Sequence, residues 1–134
     1  MAARSENIDL IKKSYNKKII LIDRFTDSTI AYQHYGMGVD LNLIETLNKY
    51  LLKNIKVSFT FLNIVNKKNL QKRLEQRKSL NRYDKFKMSF YNKVQSGFLR
   101  LLKKKKNKYQ LINSNLDIKK NEKLILNKIY RLIK

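Results

Sequence analysis

The apolar positions of the chain follow helical spacing in some stretches and form short continuous runs in others. Helical spacing predicts helices over 2–16, from Asp40 to about 51, 67–77, 84–103 and from Ile118 to about 132. Short apolar runs predict strands at 18–23, 57–64 and 109–114. The first of these runs is continuous, which is typical of a strand that is buried on both faces.

Strands that alternate with helices predict an α/β fold with a parallel sheet covered by helices on both faces. Ligands of such sheets bind beyond the carboxyl ends of the strands. Asp23 and Arg24 directly follow the first predicted strand, so we expect this pair at the rim of a binding site. No internal repeat or linker divides the chain, and residues 1–134 are expected to form one domain or part of one.

The positive charge of the chain is large and uneven. The net charge is +21, to which residues 1–50 contribute +1 and residues 51–134 contribute +20. Such a charge suggests a nucleic-acid partner. However, the chain has 24 lysines against 7 arginines, no Pro or Trp and three Gly, which is the pattern of an A/T-rich genome. We favour this second interpretation and read the run Lys103–Lys106 as a solvated helix end, favoured by the helix dipole.

Several classes of protein are excluded by composition. The chain has no cysteine and one histidine, His34, which excludes disulfides, thiolate sites and a histidine-built metal site. No apolar run approaches the length of a membrane span, and the N-terminus does not resemble a signal peptide. We therefore expect a cytoplasmic protein without membrane contact.

The seven arginines indicate where chemistry takes place. A guanidinium donates two parallel hydrogen bonds to a phosphate, whereas a lysine supplies one point charge. A lysine-biased chain should therefore keep arginine where such bidentate binding is needed. Three arginines, Arg73, Arg77 and Arg82, fall within RLEQRKSLNR. This cluster is either a mobile flap that closes over a polyphosphate or a solvated helix face with contacts four residues apart.

Four sequence blocks, taken together, resemble bacterial thymidylate kinases. They keep the order and spacing of that family: AARSENI (2–8), DRFTDSTIAYQ (23–33), GMGVDLNLIETLN (36–48) and RLEQRKSLNRYDKF (73–86). The resemblance implies a nucleoside-monophosphate-kinase-like parallel sheet flanked by helices. It also implies ATP-dependent conversion of dTMP to dTDP for DNA precursor synthesis, with Mg²⁺ as cofactor and a homodimer as assembly.

The resemblance implies a role for five residues in binding dTMP. Arg24 would grip the monophosphate, and Arg4 would reach the carbonyl edge of thymine. Thr29 and Gln33 would read the base, and the ring of Tyr32 would crowd the sugar and favour deoxyribose. Without the resemblance, a core role for Tyr32 is an equal alternative, and a helix-cap role for Thr29 is the favoured one.

The resemblance also implies a lid at about 73–86 that closes over ATP. Arg77 and Arg82 would contact the ATP phosphates, with Arg73 as a further lid candidate, so that Arg24, Arg77 and Arg82 are the catalytic candidates. Asp23 would orient Arg24 or hold a water bound to Mg²⁺.

The chain departs from the family pattern in the substrate motif and in the lid. His34-Tyr35 stands where the family has small residues, and Met37 replaces an arginine between two glycines. Lys78 and Asn81 replace the glycine and aspartate that are usual in the lid. We interpret His34 as a solvated turn residue because phosphoryl transfer depends mainly on positioning and charge.

The sequence contains no G-x-x-x-x-G-K-[S/T] motif, since glycine occurs only at positions 36, 38 and 97. We therefore expect the chain to correspond to the C-terminal two thirds of a thymidylate kinase, without its first strands and P-loop. The resemblance implies that the missing first strand lies, in the family's sheet, between the strands matched by 18–23 and 57–64. We expect the 134-residue chain to be inactive and loosely packed, unless these two strands pair directly. A deoxynucleoside kinase, a basic nucleic-acid-binding protein and a non-catalytic remnant are the alternatives.

Overall fold

The computed structural model describes residues 2–15, 17–77 and 87–134, with the side chains of 2–6 excepted. Within these ranges the chain forms α-helices and short parallel strands, as the pattern predicted. In chain order they are α1 (Ala2–Ser14), α2 (Thr26–Thr29) continuing into a π-helical segment (Ile30–Gly36), α3 (Leu41–Leu52), β1 (Thr60–Ile64), α4 (Lys67–Glu75), α5 (Met88–Lys104), a 3-10 turn (Lys106–Lys108), β2 (Tyr109–Asn113) and α6 (Ile118–Ile133). None of the described helices is both long and apolar enough to cross a membrane.

The two described strands pair in parallel. Their register runs from Thr60 beside Tyr109 to Ile64 beside Asn113. Parallel neighbours require a long crossover, and here α4 and α5 lie between the strands in sequence. The predicted α/β class with a parallel sheet flanked by helices is therefore confirmed.

The run 18–23 forms no strand, and the prediction that it is buried on both faces is wrong. Ile19, Leu21 and Ile22 are 64%, 76% and 43% exposed. An apolar run becomes a buried strand only where neighbouring strands accept its backbone hydrogen bonds and helices cover its faces. Within the described ranges, β1 pairs only with β2, so the run 18–23 forms no backbone pairing with β1.

The main packing contact joins the α2–π segment to α5. Ala31 is fully buried between Phe90 and Val94. Two glycines permit this approach: a Cβ at Gly36 would lie 2.6 Å from Phe90 Cε2, and a Cβ at Gly97 would lie 2.5 Å from Tyr35 Cδ2. Gly97 costs helix propensity but allows the two helices to meet.

A second cluster and the helix caps complete the scaffold. Ile30, Ile44 and Leu101 bury one another, which joins the π-helical segment, α3 and α5. Asp40 caps α3 as predicted, since its Oδ1 accepts a hydrogen bond from Leu43 N at 2.8 Å. The predicted helix at 84–103 is described from Met88 onward, and residues 78–86 lie outside the described ranges.

Candidate functional site

Arg24 lies at the end of the exposed apolar run and contacts Tyr32. Its Nη1 donates a hydrogen bond to Tyr32 Oη at 3.2 Å, and its guanidinium carbon lies 5.4 Å from the centroid of the ring. The backbone of Arg24 has φ 59°, a left-handed conformation that is uncommon outside glycine and clusters at functional sites. The exposed Arg24 side chain thus has the Tyr32 hydroxyl and ring as partners on the surface of the protein.

The ring of Tyr32 belongs to the core while its hydroxyl faces Arg24. The ring makes edge-to-face contacts with Phe90 and Phe98, at centroid distances of 5.9 and 6.4 Å. These contacts support the core interpretation of Tyr32, and its role beside the sugar stays a prediction. The core packing of Tyr32 fixes the surface on which the Arg24 guanidinium rests.

Thr29 and Gln33 present polar atoms that lack a partner in the described part of the chain. Thr29 Oγ1 and Gln33 Oε1 are both buried and accept or donate no hydrogen bond there. The two residues lie four positions apart, so they share a face of the α2–π segment with Tyr32. Thr29 makes no side-chain capping bond, so the helix-cap alternative is not supported. Buried polar atoms are nearly always paired, and leaving one unpaired costs about 1–3 kcal/mol.

Two further residues, Arg4 and Asp23, were predicted to bind dTMP and a magnesium-bound water, respectively. The backbone of Arg4 lies in α1, and its side chain is among those not described. Asp23 is exposed beside Arg24. Among the described residues, no three His, Asp or Glu side chains form a group that could hold a metal ion. The metal role of Asp23 stays a prediction.

Arg73 is tied to the end of β2. It lies in α4, and its Nη2 donates a hydrogen bond to the carbonyl oxygen of Ser114 at 2.7 Å. Arg77 follows the end of α4 and is exposed, and Arg82 lies outside the described residues. The described contacts thus join Arg24 to Tyr32, and Arg73 to the carboxyl end of the strands.

An asparagine cluster at that end of the sheet was missed by the sequence analysis. Asn115 Oδ1 accepts hydrogen bonds from Asn66 N at 3.1 Å and from Asn69 Nδ2 at 2.9 Å. Asn113 Oδ1 in turn accepts from Asn115 N at 3.0 Å. The cluster follows the carboxyl ends of β1 and β2, where ligands of parallel sheets bind. The available signal in the sequence was the occurrence of asparagines directly after two apolar runs.

A second missed contact holds α2 against the start of β2. The Tyr109 hydroxyl donates a hydrogen bond to Asp27 Oδ2, and Lys105 Nζ lies 3.4 Å from Asp27 Oδ1. Burial, then the hydrogen bond and charge of Asp27, raise the pKa of Tyr109 far above its ordinary value. This contact fixes the helix that begins two residues after Arg24.

His34 closes the turn after the π-helical segment. Its Nδ1 lies 2.9 Å from the carbonyl oxygen of Val39, and its ring contacts Tyr35. His34 itself lies within the π-helical segment and is half-buried, so the prediction of a solvated turn residue is wrong. The Val39 contact orients the imidazole at the end of the π-helical segment.

Comparisons with known proteins agree on one family. Residues 1–125 match the family model described as thymidylate kinase. The thymidylate kinase of Wolbachia pipientis subsp. Culex pipiens is 36% identical over 105 residues, which is 78% of this chain and 49% of the relative. That of Ehrlichia canis is 38% identical over 120 residues, 88% of this chain and 57% of the relative.

A solved structure leads to the same family. The crystal structure of thymidylate kinase from Ehrlichia chaffeensis matches with a TM-score of 0.71 and 30% sequence identity, covering 96% of this chain and 60% of that chain. The chain thus spans about half to three fifths of the length of these relatives. The family model covers nearly the whole chain, and the chain belongs to the thymidylate kinase family.

Proposed function

We propose that the protein serves the ATP-dependent phosphorylation of dTMP to dTDP in DNA precursor synthesis. The observation that carries this proposal is the pair of unpartnered buried oxygens, Thr29 Oγ1 and Gln33 Oε1, on the helix whose Tyr32 holds Arg24. Both oxygens are closed to solvent, so a nucleotide would become their partner only after the side chains that cover them move aside, and its phosphate would then meet the guanidinium. The relatives reported above are all named thymidylate kinase, which favours this activity over that of a deoxynucleoside kinase.

Each proposed dTMP contact follows from the chemistry of the nucleotide. The guanidinium of Arg24 matches two phosphate oxygens at once. Gln33 Oε1 accepts a hydrogen bond from the N3–H of thymine, and Thr29 Oγ1 donates to a thymine carbonyl oxygen. The rim of the Tyr32 ring lies beside the sugar and leaves no room for a 2′-hydroxyl. Arg4 approaches the carbonyl edge of the base from α1.

The phosphoryl transfer itself is proposed to depend on arginines of the lid. Arg77 and Arg82 neutralise the charge of the ATP phosphates, and Arg73 joins them by exchanging its bond to the Ser114 carbonyl for a phosphate oxygen. Mg²⁺ bound to those phosphates would neutralise further charge, and Asp23 would hold one of its waters. The γ-phosphoryl group passes to an oxygen of the dTMP phosphate, which leaves ADP and dTDP.

The proposed assembly is a cytoplasmic homodimer. Its support is an apolar stripe on α3, where Leu43 and Tyr50 are seven residues apart and mostly exposed. A second copy of the chain would cover this stripe. A Leu43→Lys variant is expected to shift the protein to monomers in analytical ultracentrifugation, and an unchanged mass distribution would remove this part of the proposal.

The proposed base contact can be tested with Thr29→Val, which replaces the hydroxyl by a methyl of similar shape. If Thr29 Oγ1 serves only dTMP, this variant should bind dTMP about tenfold more weakly in calorimetric titration. It should at the same time be no less stable than the wild type when unliganded, because it removes an unpaired buried polar atom.

The matched control is Thr46→Val on the exposed part of α3, which makes the same chemical change away from the proposed site. It should leave the affinity for dTMP unchanged. Two results would overturn the proposal: wild-type protein that binds no dTMP at millimolar concentration, or a Thr29→Val variant that binds it with undiminished affinity.

A further inference from the structure

A basic cavity lies at the start of the two strands. Its volume is about 550 Å³, which is within the range of small-molecule sites. Its wall consists of the 3-10 turn and first residues of β2, of Phe59 just before β1, and of one face of α6. None of its lining residues belongs to the proposed dTMP site or to the lid.

The charged side chains that line this cavity are all positive. Lys106, Lys128 and Arg131 line it, and no carboxylate does so among the described residues. Asp27, which binds the hydroxyl of the cavity residue Tyr109, is already paired with Lys105. The run Lys103–Lys108 lines an adjoining hollow and extends the positive field.

Glu122, the carboxylate of α6 nearest in sequence to the cavity residues, lies on another side of the helix. Leu124, Asn127, Lys128 and Arg131 recur at intervals of three and four residues, so one helix face supplies all four. Glu122 precedes Leu124 by two residues, a rotation of about 200° around the helix axis. It therefore does not neutralise the lysine and arginine that face the cavity.

The neutral groups of the lining suit a phosphate ligand. Asn107, Gln110 and Asn127 add amide donors to the three cations. The Lys128 ammonium lies 4.7 Å from the centroid of the Phe59 ring, which holds the charge at the cavity wall. Arg131 adds a planar fork that matches phosphate oxygens. Several cations with amide donors form a site for a ligand whose charge is spread over many oxygens.

We propose that this cavity binds a small molecule that carries two or more phosphate groups, either as a linear polyphosphate chain or on a ring. Single-stranded nucleic acid is a poorer match, because binding it requires aromatic faces open to the bases. Here Tyr109 is buried with its hydroxyl on Asp27, and Lys128 lies over Phe59.

The test is a calorimetric titration of the 134-residue chain with tripolyphosphate and, separately, with inositol hexakisphosphate at physiological ionic strength. The variant Lys128→Gln/Arg131→Gln removes two charges of the cavity wall. The control Lys119→Gln/Lys123→Gln removes two charges from the same helix that do not line the cavity. The salt concentration is high enough to screen charges more than about 8 Å apart.

We expect saturable binding to one site, about tenfold weaker in Lys128→Gln/Arg131→Gln and changed by less than about twofold in the control. Tighter binding of tripolyphosphate would identify the linear chain as the ligand type, and tighter binding of inositol hexakisphosphate the phosphorylated ring. Titration with dTMP should be unaffected by Lys128→Gln/Arg131→Gln, so this proposal and the proposed function are tested independently.

Three results would overturn the proposal. One is an equal loss of affinity in the two double variants, because binding would then reflect diffuse charge. Another is the absence of saturation with either compound. The third is binding of an oligothymidylate that tripolyphosphate cannot displace, which would assign the basic surface to nucleic acid.

Discussion

Tyr109 and Asp27 are 82 positions apart in the chain, and the hydroxyl of the first donates a hydrogen bond to the carboxylate of the second. The carboxylate is 14% exposed, so little solvent competes for it. Since α2 begins directly after the loop that carries Arg24, this contact anchors the proposed dTMP motif to the start of β2. The geometry of the motif thus depends on the C-terminal half of the chain.

The pH dependence of Tyr109 follows from this contact. Its pKa is higher in the folded chain than in the unfolded one, because burial and Asp27 both disfavour the tyrosinate. The folded state therefore holds this proton longer, and the associated stability is complete below about pH 10 and is lost as the pH rises through the folded-state pKa.

We expect native wild-type protein and a Tyr109→Phe variant to show equal numbers of tyrosinates by ultraviolet absorbance at about pH 11. In urea, where the contact with Asp27 is absent, the wild type should show one tyrosinate more than the Tyr109→Phe variant. An extra tyrosinate in the native wild type at that pH would mean that the hydroxyl is not held by Asp27.

Gly97 should resist substitution in spite of its place inside a helix. Alanine there would gain about 1 kcal/mol of helix propensity, but its Cβ would meet Tyr35 Cδ2 at 2.5 Å. Overpacking of this kind costs about 1–3 kcal/mol, so we expect Gly97→Ala to lower the urea midpoint measured by helical circular dichroism. The exposed neighbour substitution Ser96→Ala should raise it slightly or leave it unchanged. A stabilised Gly97→Ala variant would show that the two helices do not pack as closely as described.

The exposed apolar run should make the isolated chain bind hydrophobic dyes and aggregate. Leu21 is 76% exposed beside Ile19 and Ile22, and the run does not pair with β1. We expect Leu21→Lys to reduce both dye fluorescence and light scattering. Ile118→Lys changes a side chain of similar exposure, 82%, at the start of α6 and should have a smaller effect. This prediction would be contradicted by a wild-type monomer that binds no hydrophobic dye and unfolds in a sharp thermal transition.

The 134-residue chain by itself should not consume ATP in a dTMP-dependent manner. Its sequence has no glycine-rich phosphate-binding loop, so no backbone cradle orients the ATP phosphates. The coupled assay for ADP release should stay at background, while the thymidylate kinase of Ehrlichia canis, assayed in parallel, turns over. Robust turnover by the 134-residue chain would refute this prediction.

The sequence predicted those features that depend on local pattern. The strands β1 and β2, the cap at Asp40 and the long helix α5 all follow from short apolar runs, a capping side chain and helical spacing. The failure of 18–23 to form a strand was not predictable in this way, because burial of a strand depends on neighbours that the run itself does not specify.

Long-range contacts of the site also escaped prediction. The bond between Tyr109 and Asp27 joins two residues with no common pattern, and the contact of Gly97 with Tyr35 becomes visible only once the helices cross. The dTMP motif around Arg24 was recognised through its resemblance to a family. The contact of Arg24 with Tyr32 then required the structure.

The proposed grip of Arg24 on the phosphate of dTMP is tested most directly by comparing dTMP with thymidine. A bidentate contact to a charged group is worth about 1.5–3 kcal/mol, so the wild type should bind dTMP at least about tenfold more tightly than thymidine. In Arg24→Lys the positive charge remains but the fork is lost, and most of this preference should disappear. Arg100→Lys, which alters a guanidinium stacked 5.5 Å from the Tyr35 ring, is the matched control and should keep the preference. An equal preference for dTMP in wild type and Arg24→Lys, or none in the wild type, would contradict the assignment.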